Sequence, residues 1–448
     1  MNKPLTVIAV AVALVVVAAG GTYWSINRTN AQLDNTASTG PNPTLPEQQQ
    51  RMLPTVYIAP AQPWTGNATP TGVAGTKVVK FAAELNHPRW LYVLPNGDVL
   101  VAETNAPEPV GNESYKGSKV KAFVQDAVMA RAGAKEPSAN RITLLRDADG
   151  DGVAEVKNVF LKDLTSPYGM VLVGNELFVA NANGIVKFPY KEGDTSISAP
   201  ATKVTDLPGG LNHHWTKNVV ASKDGTKLYA TVGSNSNVGE NGIEIEEGRA
   251  AIWEIDRATG NKRLFATGLR NPNGMGWEPS TGALWTVVNE RDELGGDLVP
   301  DYLTSVQDGG FYGWPYSYFG QNVDNRIQPQ KPELVAKAIK PDYALGTHVA
   351  PLGMTFAEGN TLPQQFANGA FVGLHGSWNR KPRSGYSVIF VPFANGKPSG
   401  QPIDVLTDFV NANGDANGRP VGVTIDKKGG LLVADDVGNV VWRVAGTR

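Results

Sequence analysis

Residues Leu211–Val220 read LNHHWTKNVV; the chain then turns at Lys223-Asp224-Gly225 and returns through Leu228–Val232. A polar stretch with adjacent histidines, His213 and His214, leads into an apolar strand, an Asp-Gly turn and a second apolar strand. The same pattern recurs along the chain. Leu85-Asn86-His87-Pro88 stands ahead of WLYVLPNGDVLVAETN, and Leu164–Pro167 ahead of YGMVLVGNELFVANANGIVKF. Leu269-Arg270-Asn271-Pro272 stands ahead of GMGWEPSTGALWTVVNERD. His348-Val349-Ala350-Pro351 precedes LGMTF and then GAFVGLHGSWNR, and Gly418-Arg419-Pro420 precedes VGVTIDKKGGLLVADD.

These are six strand–turn–strand units spaced by roughly 50–80 residues, the longer intervals reading as insertions. Glycine is abundant, 50 of 448 residues, and no long 3.6-period apolar stripe is present, so short strands are favoured over helices. A pair of β-sandwiches also contains such units, but the leading, turn and trailing chemistry here recurs in phase. The expectation is an all-β, six-bladed β-propeller over residues 73–448, with Lys77–Phe81 (KVVKF) as an outer strand that closes the ring. In an antiparallel pair the start of the first strand and the end of the second share one end. The polar leading and trailing residues of all six units therefore collect on one face.

At the N-terminus, Lys3 precedes an uncharged apolar run, Leu5–Gly21, followed by Tyr23-Trp24 and Arg28. Its length is close to the ~20 residues that span a bilayer. Residues 1–24 are expected to be an uncleaved anchor helix or a removed signal, with Ala31 available as a cleavage position. The body then lies in a periplasm or another extracytoplasmic space, joined to the membrane only through this segment. Residues 25–72, rich in Pro, Thr, Asn, Gln and Ala, are expected to be a flexible linker. The chain has no cysteine, which excludes disulfides, thiol nucleophiles, thiolate metal sites and lipoprotein attachment. A formal net charge of −2 gives no long-range attraction to nucleic acid.

Chemistry must then come from His, carboxylates, Arg, Lys or a bound group. All five histidines, His87, His213, His214, His348 and His375, occupy leading or trailing slots. On an extended strand His213 and His214 point to opposite sides, so only one faces inward. Arg89, Arg270, Arg291, Arg380, Lys381, Arg383 and Arg419 recur in the same slots and suggest a pocket for a polyanionic small molecule. Asn289–Asp297 (NERDELGGD) is a trailing loop dense in oxygen ligands and suits a hard cation. Asp147–Glu155 (DADGDGVAE) matches the first half of a calcium loop but has Asn158 at position twelve, so it is a truncated loop or an Asx-rich turn.

The chain resembles the soluble-type PQQ-dependent sugar dehydrogenases, in particular the sorbosone/aldose dehydrogenase branch, from about Pro88 to Val444. The resemblance rests on LNHHWTKNVVASKDGTKLYATVGSN, LRNPNGMGWEPSTGALWTVVNERDELGGDLVPDYLT, GGFYGWP, HVAPLGMTF and HGSWNR in this order. It implies a six-bladed propeller that binds PQQ and calcium, oxidises an aldose or sugar aldehyde and hands electrons to a quinone or cytochrome. Carried over, it implies His214 as catalytic base, and Arg270 and Asn271 against the quinone. It implies cofactor calcium on the carbonyls of Arg291 and Asp292, and a structural calcium on Asp297 and the Tyr312 carbonyl. Arg380 or Lys381, together with Arg419, would meet the cofactor carboxylates. The glucose-oxidising branch has Asp where His213 stands, Gly-Pro where Arg291-Asp292 stand, and a second basic residue where Val421 stands. Its sugar preference is therefore not carried over. Trp215, Trp378 and Tyr168 supply either a stacking floor or core packing.

Two other readings use the same fold: a calcium-dependent propeller hydrolase acting on lactones or phosphotriesters, and a non-catalytic binding propeller. A hydrolase has no need of the Arg270/Arg380/Arg419 set, and a binding face would be richer in aromatic and apolar residues.

Overall fold

The structure, a computed structural model, describes residues 27–34, 36–49, 55–108, 127–210 and 213–447. The N-terminal apolar run lies outside them; among the described residues no helix is long and apolar enough to cross a membrane.

Six antiparallel sheets follow one another around a ring, as the repeat predicts. Blade 1 comprises Pro88–Val93, Val99–Glu103, Arg141–Arg146 and Val156–Leu161, from the axis outward. Blade 2 comprises Met170–Val173, Glu176–Asn181, Gly184–Pro189 and Thr202–Asp206; blade 3 comprises Val219–Ala221, Lys227–Val232, Ala251–Asp256 and Lys262–Thr267. Blade 4 comprises Asn271–Trp277, Leu284–Asn289, Pro300–Ser305 and Tyr343–Thr347, and blade 5 Pro351–Phe356, Gly369–Leu374, Ser387–Ala394 and Ile403–Thr407. Blade 6 takes Pro420–Ile425, Leu431–Asp435 and Val440–Gly446 from the C-terminus. Its outer strand, Thr76–Ala82, comes from the other end of the propeller sequence, so KVVKF closes the ring as expected.

Two recurrent residue types fix the inner ring. Blades 1, 5 and 6 begin their innermost strand with proline, at Pro88, Pro351 and Pro420, blade 4 has Pro272 as its second residue, and the register shifts just after each. Proline has no N–H for the ladder and sits where a strand edge is free; the bulge that follows re-aims the preceding polar residues. The second type is the glycine of YGM, NGM, LGM and VGV. A Cβ on Gly169 would come within 2.7 Å of Asn218 Cα, one on Gly274 within 2.6 Å of Met354 N, and one on Gly353 within 2.8 Å of Gly422 Cα. A Cβ on Gly422 would meet Arg89 O at 2.7 Å. Neighbouring innermost strands thus pack backbone on backbone, and only glycine permits it.

The core is distributed in layers between adjacent blades rather than gathered at one centre. Leu91, Val101, Leu432 and Val441 fill the gap between blades 6 and 1; Trp285, Leu303, Met354 and Ile389 fill that between blades 4 and 5. The expected flexible linker is packed instead. Thr39–Gly40 adds to the outer edge of blade 4, and Thr71–Gly72 to that of blade 5. Between them Trp64 packs edge-on against Phe409 and Trp442. The composition of residues 25–72 is that of a linker, but outer-strand edges and buried arginines give its backbone groups partners.

Candidate functional site

The face formed by the leading and trailing residues carries two polar sectors that differ in sign. One lies at blades 3 and 4. The residues from His213 to Asn218 are irregular, with the strand beginning only at Val219, so the opposite-sides expectation for the two histidines does not apply. Their rings meet edge-on, with centroids 4.8 Å apart, and His213 is the exposed one. His214 Nδ1 lies 2.8 Å from Ser234 O and 3.0 Å from Ser234 Oγ. A carbonyl only accepts, so Nδ1 carries the proton and Nε2 keeps its lone pair. Burial and the charges of Arg270 and Arg249 hold this imidazole well below its usual value, hence neutral. Gly233 has no side chain because a Cβ there would reach His214 Cβ at 2.5 Å and Asn271 Oδ1 closer still. His214 and Asn271 therefore address the same spot.

Arg270 is buried, and its five N–H donors are all engaged. Nε bonds Asn237 O (3.2 Å), Nη1 bonds Asn289 O (3.3 Å) and Glu290 O (2.7 Å), and Nη2 bonds Asn237 Oδ1 (3.0 Å) and Asp292 Oδ2 (3.4 Å). It builds the loop between the second and third strands of blade 4. Asp292 also receives Asn379 Nδ2 at 2.9 Å and faces His348 Nδ1 at 3.2 Å, while His348 Nε2 donates to Gly295 O at 3.0 Å. Burial would raise Asp292, but His348 and Arg270 hold it down at about 2; burial opposes protonation of His348, but Asp292 raises it. They form an ion pair. Beside them Glu290 and Asp301 are pushed up to about 7 by burial.

The second sector spans blades 5, 6, 1 and 2 and centres on Asp436. Its Oδ2 receives Arg89 Nη1 at 2.6 Å and His375 Nε2 at 2.9 Å, with His87 Nε2 at 3.5 Å. Against burial, which would raise it, these charges hold Asp436 far below the carboxylate range. Arg89 stacks 5.9 Å over Trp215, the residue after His214, and Trp215 meets Tyr168 edge-on. The two sectors therefore adjoin.

Buried polar atoms without a partner show what each sector lacks. In the blade 4 sector most are oxygens, Asn271 Oδ1, Asn289 Oδ1, Glu290 Oε1 and Asn379 Oδ1, with Arg291 Nε and Arg326 Nε the donors among them. In the Asp436 sector they are mostly donors: Arg89 Nε, Arg419 Nε and Tyr168 Oη. Unpaired buried groups of this kind are costly, and sorted by sign they fit a cation on one side and an anion on the other. Lys217 Nζ, beside these sectors, is also buried without a partner, and burial pulls it well below its usual value.

The other expected residues do not join this set. Asp292 O already accepts Asn237 Nδ2 (3.2 Å), Arg291 Nη2 (2.9 Å) and Arg326 Nη2 (3.1 Å), so it is filled by N–H donors, two of them cationic. The Arg291 side chain pairs with Asp324. Asp297 accepts Gln32 N (2.6 Å), Leu33 N (3.1 Å) and Arg380 Nη2 (3.2 Å). Tyr312 belongs to the layer between blades 3 and 4 and donates its hydroxyl to Ser305 O at 2.6 Å. No described contact joins it to Asp297. Arg380 also bonds Gly296 O, Pro382 O and Leu33 O, and Lys381 Nζ bonds Asn27 O at 2.8 Å. Both hold the N-terminal segment, as does Arg419 in part, through Ala59 O at 3.0 Å.

Sequence reasoning missed Asp436 and Asn379, and placed Arg89 only within a general set of basic residues for a polyanion pocket. Their signal was position alone: Asp436 trails the blade 6 strand in VADD, and Asn379 lies within HGSWNR. The Asp147, Asp149, Asp151 and Glu155 carboxylates do converge, away from this face, with Lys428 on Asp147 at 2.8 Å.

A closed six-bladed ring with one face built from paired carboxylates, arginines and a neutral histidine defines a propeller with an axial, ligand-binding face. The chain belongs to the TrAA12-like family, whose profile matches residues 137–302 and 321–447. It is 25% identical over 289 residues to a pyrroloquinoline quinone-dependent pyranose dehydrogenase of Coprinopsis cinerea, covering 54% of this chain and 39% of that longer protein. The calcium structure of Trichoderma reesei Carbohydrate-Active Enzymes Family AA12 superposes with a TM-score of 0.68 at 19% identity, over 86% of this chain and all of that one. The holo PQQ domain of the C. cinerea pyranose dehydrogenase gives 0.67 at 21%, over 87% of this chain and all of that domain. At these identities the superpositions establish the shared fold.

Proposed function

We propose that the chain is a PQQ- and calcium-dependent dehydrogenase that oxidises an aldose or a sugar aldehyde of the sorbosone type. The observation that carries this reading is the uneven sorting of unpartnered buried atoms, mostly oxygens at blade 4 and mostly N–H or O–H donors around Asp436. It fits a hard cation beside a polycarboxylate. Arg89 and Arg419 would hold cofactor carboxylates, a role expected from the sequence of Arg419 together with Arg380 or Lys381. The oxygens of Asn271, Asn289, Glu290 and Asn379 would face the metal, in place of the Asp292 carbonyl. When bound, PQQ supplies a quinone carbon that accepts hydride, and calcium supplies the Lewis acid that makes it electrophilic.

The chain's own part is acid–base and positional work. His214 Nε2, unprotonated because Nδ1–H is committed to Ser234 O, takes the proton of the sugar hydroxyl. The resulting imidazolium is charged in a buried place, so it returns the proton readily once the product leaves. Arg270 acts as a positioning residue: it fixes Asp292 and the loop carrying Glu290, and does not itself touch the substrate. Trp215 offers an apolar wall between the base and Arg89. A membrane quinone or a cytochrome would take the electrons.

Purified apo protein tests the reading. Addition of PQQ and calcium together should confer sugar-dependent dye reduction, and either alone should not. Dye reduction without PQQ, or none with both across a panel of aldoses and sugar aldehydes, rejects it.

A further inference from the structure

The first described residues, from Asn27 on, are clasped to the propeller at one defined place. Asn27 O accepts Lys381 Nζ at 2.8 Å, Asn30 Oδ1 accepts Lys381 N at 2.8 Å, and Asn30 Nδ2 donates to Asn379 O at 2.9 Å. The N–H groups of Asn30 and Ala31 both reach Lys381 O at 3.2 Å, and Asp297 caps Gln32 and Leu33. All these partners lie in the loops that follow the second strands of blades 4 and 5, the latter of which also carries His375. The clasp is therefore on the site face. Only five residues, Thr22–Ile26, separate Asn27 from the bilayer-length apolar run Leu5–Gly21, and the aromatic pair Tyr23-Trp24 stands where interfacial anchors belong.

We infer that the propeller is held with its site face toward a lipid bilayer, the run Leu5–Gly21 being the anchor and the Lys381–Asn30 clasp setting the orientation. The reach decides between the two faces. Six peptide steps span at most roughly 20 Å. An innermost strand of 7 residues, such as Asn271–Trp277, covers roughly as much, and its turns add to that. A fully stretched tether starting at Asn27 would only graze the far face, whereas the site face lies within its reach at any extension. Sugar would then enter from the side, between propeller and headgroups, and a lipid-borne electron acceptor would meet the face directly. The inference stands apart from the redox reading, because it needs only the apolar run and the clasp.

The absence of cysteine makes the test direct. Single-cysteine variants Ala412→Cys, exposed in the loop ahead of blade 6 on the site face, and Lys223→Cys, exposed in the far-face turn of blade 3, would each carry a fluorophore. The full chain would be reconstituted in phosphatidylcholine vesicles with headgroup-nitroxide lipid. Quenching at position 412 should exceed that at 223 several-fold, and adding Asn30→Ala with Lys381→Met should shrink the difference. Equal quenching, stronger quenching at 223, or a full-length chain that does not float with vesicles overturns the inference.

Discussion

At the scale of single residues, His214 and His213 make the sharpest comparison. Only His214 has its tautomer fixed, so His214→Ala should cut turnover by ~10²–10⁴-fold while PQQ affinity, read by fluorescence titration, stays within a few-fold. His213→Ala should retain most of its turnover. His87 supplies a pH dependence. Burial lowers it to about 4 despite the nearby Asp436 carboxylate, so it is neutral in the fold at neutral pH, whereas the unfolded chain takes up a proton below about 6.5. A depressed histidine contributes its full stability above the unfolded value and loses it as pH falls from about 6.5 toward 4. Melting temperature should fall over that window, and His87→Gln should flatten the decline. An unchanged slope in the variant would remove His87 from the account.

Among elements, the glycines of the inner ring give the clearest expectation. Gly353→Ala would press a methyl onto the Val421–Gly422 backbone, which cannot move aside without shifting blade 6. Overpacking of this kind costs ~1–3 kcal/mol or more. The control is Gly276→Ala, whose Cβ would meet Phe356 at an ordinary 3.4 Å, so its melting curve should stay near wild type. These glycines also show how much was legible. Strand alternation, turns and the in-phase repeat gave the six blades and even KVVKF as the closing strand, because period-2 burial and Asp-Gly turns are local signals. The site was legible only as a face. His214 and Asn271 were found because they lie in short motifs. The rest turned on which donors were already engaged: Arg270, Arg380 and Arg419 look alike in sequence, yet only Arg419 keeps an unpartnered Nε. That distinction depends on partners hundreds of residues away, such as Leu33 for Arg380, and no spacing encodes it.

For the molecule as a whole, the N-terminal segment is the least expected part. Its Trp64 indole donates to Asp435 Oδ2 at 2.7 Å, beside Trp442 Nε1 at 3.0 Å, and Arg419 N and Gly438 N fill the other oxygen at 2.8 Å each. Burial still pushes Asp435 up to about 7, so this carboxylate is sensitive to the loss of any donor. Trp64→Phe keeps the ring contacts and removes one hydrogen bond to a charged group, worth ~1.5–3 kcal/mol. The melting temperature should drop accordingly, and the drop should be smaller at pH 5, where Asp435 is protonated to a greater extent. An unchanged melting temperature would mean that the segment rests on the propeller without supporting it.

The closing strand has a consequence for how the chain is made. Thr76–Ala82 emerges before any of the other blade strands, yet its partner, Val440–Gly446, emerges only after five blades have been made. Five blades can pair their strands as they appear, but the sixth waits for Val440–Gly446, and until then two strand edges stay open to strangers. A chain interrupted before Val440 would leave a horseshoe with adhesive ends. Arrival of this one strand thus acts as a checkpoint on the product, and one whose loss shows as aggregation before it shows as inactivity.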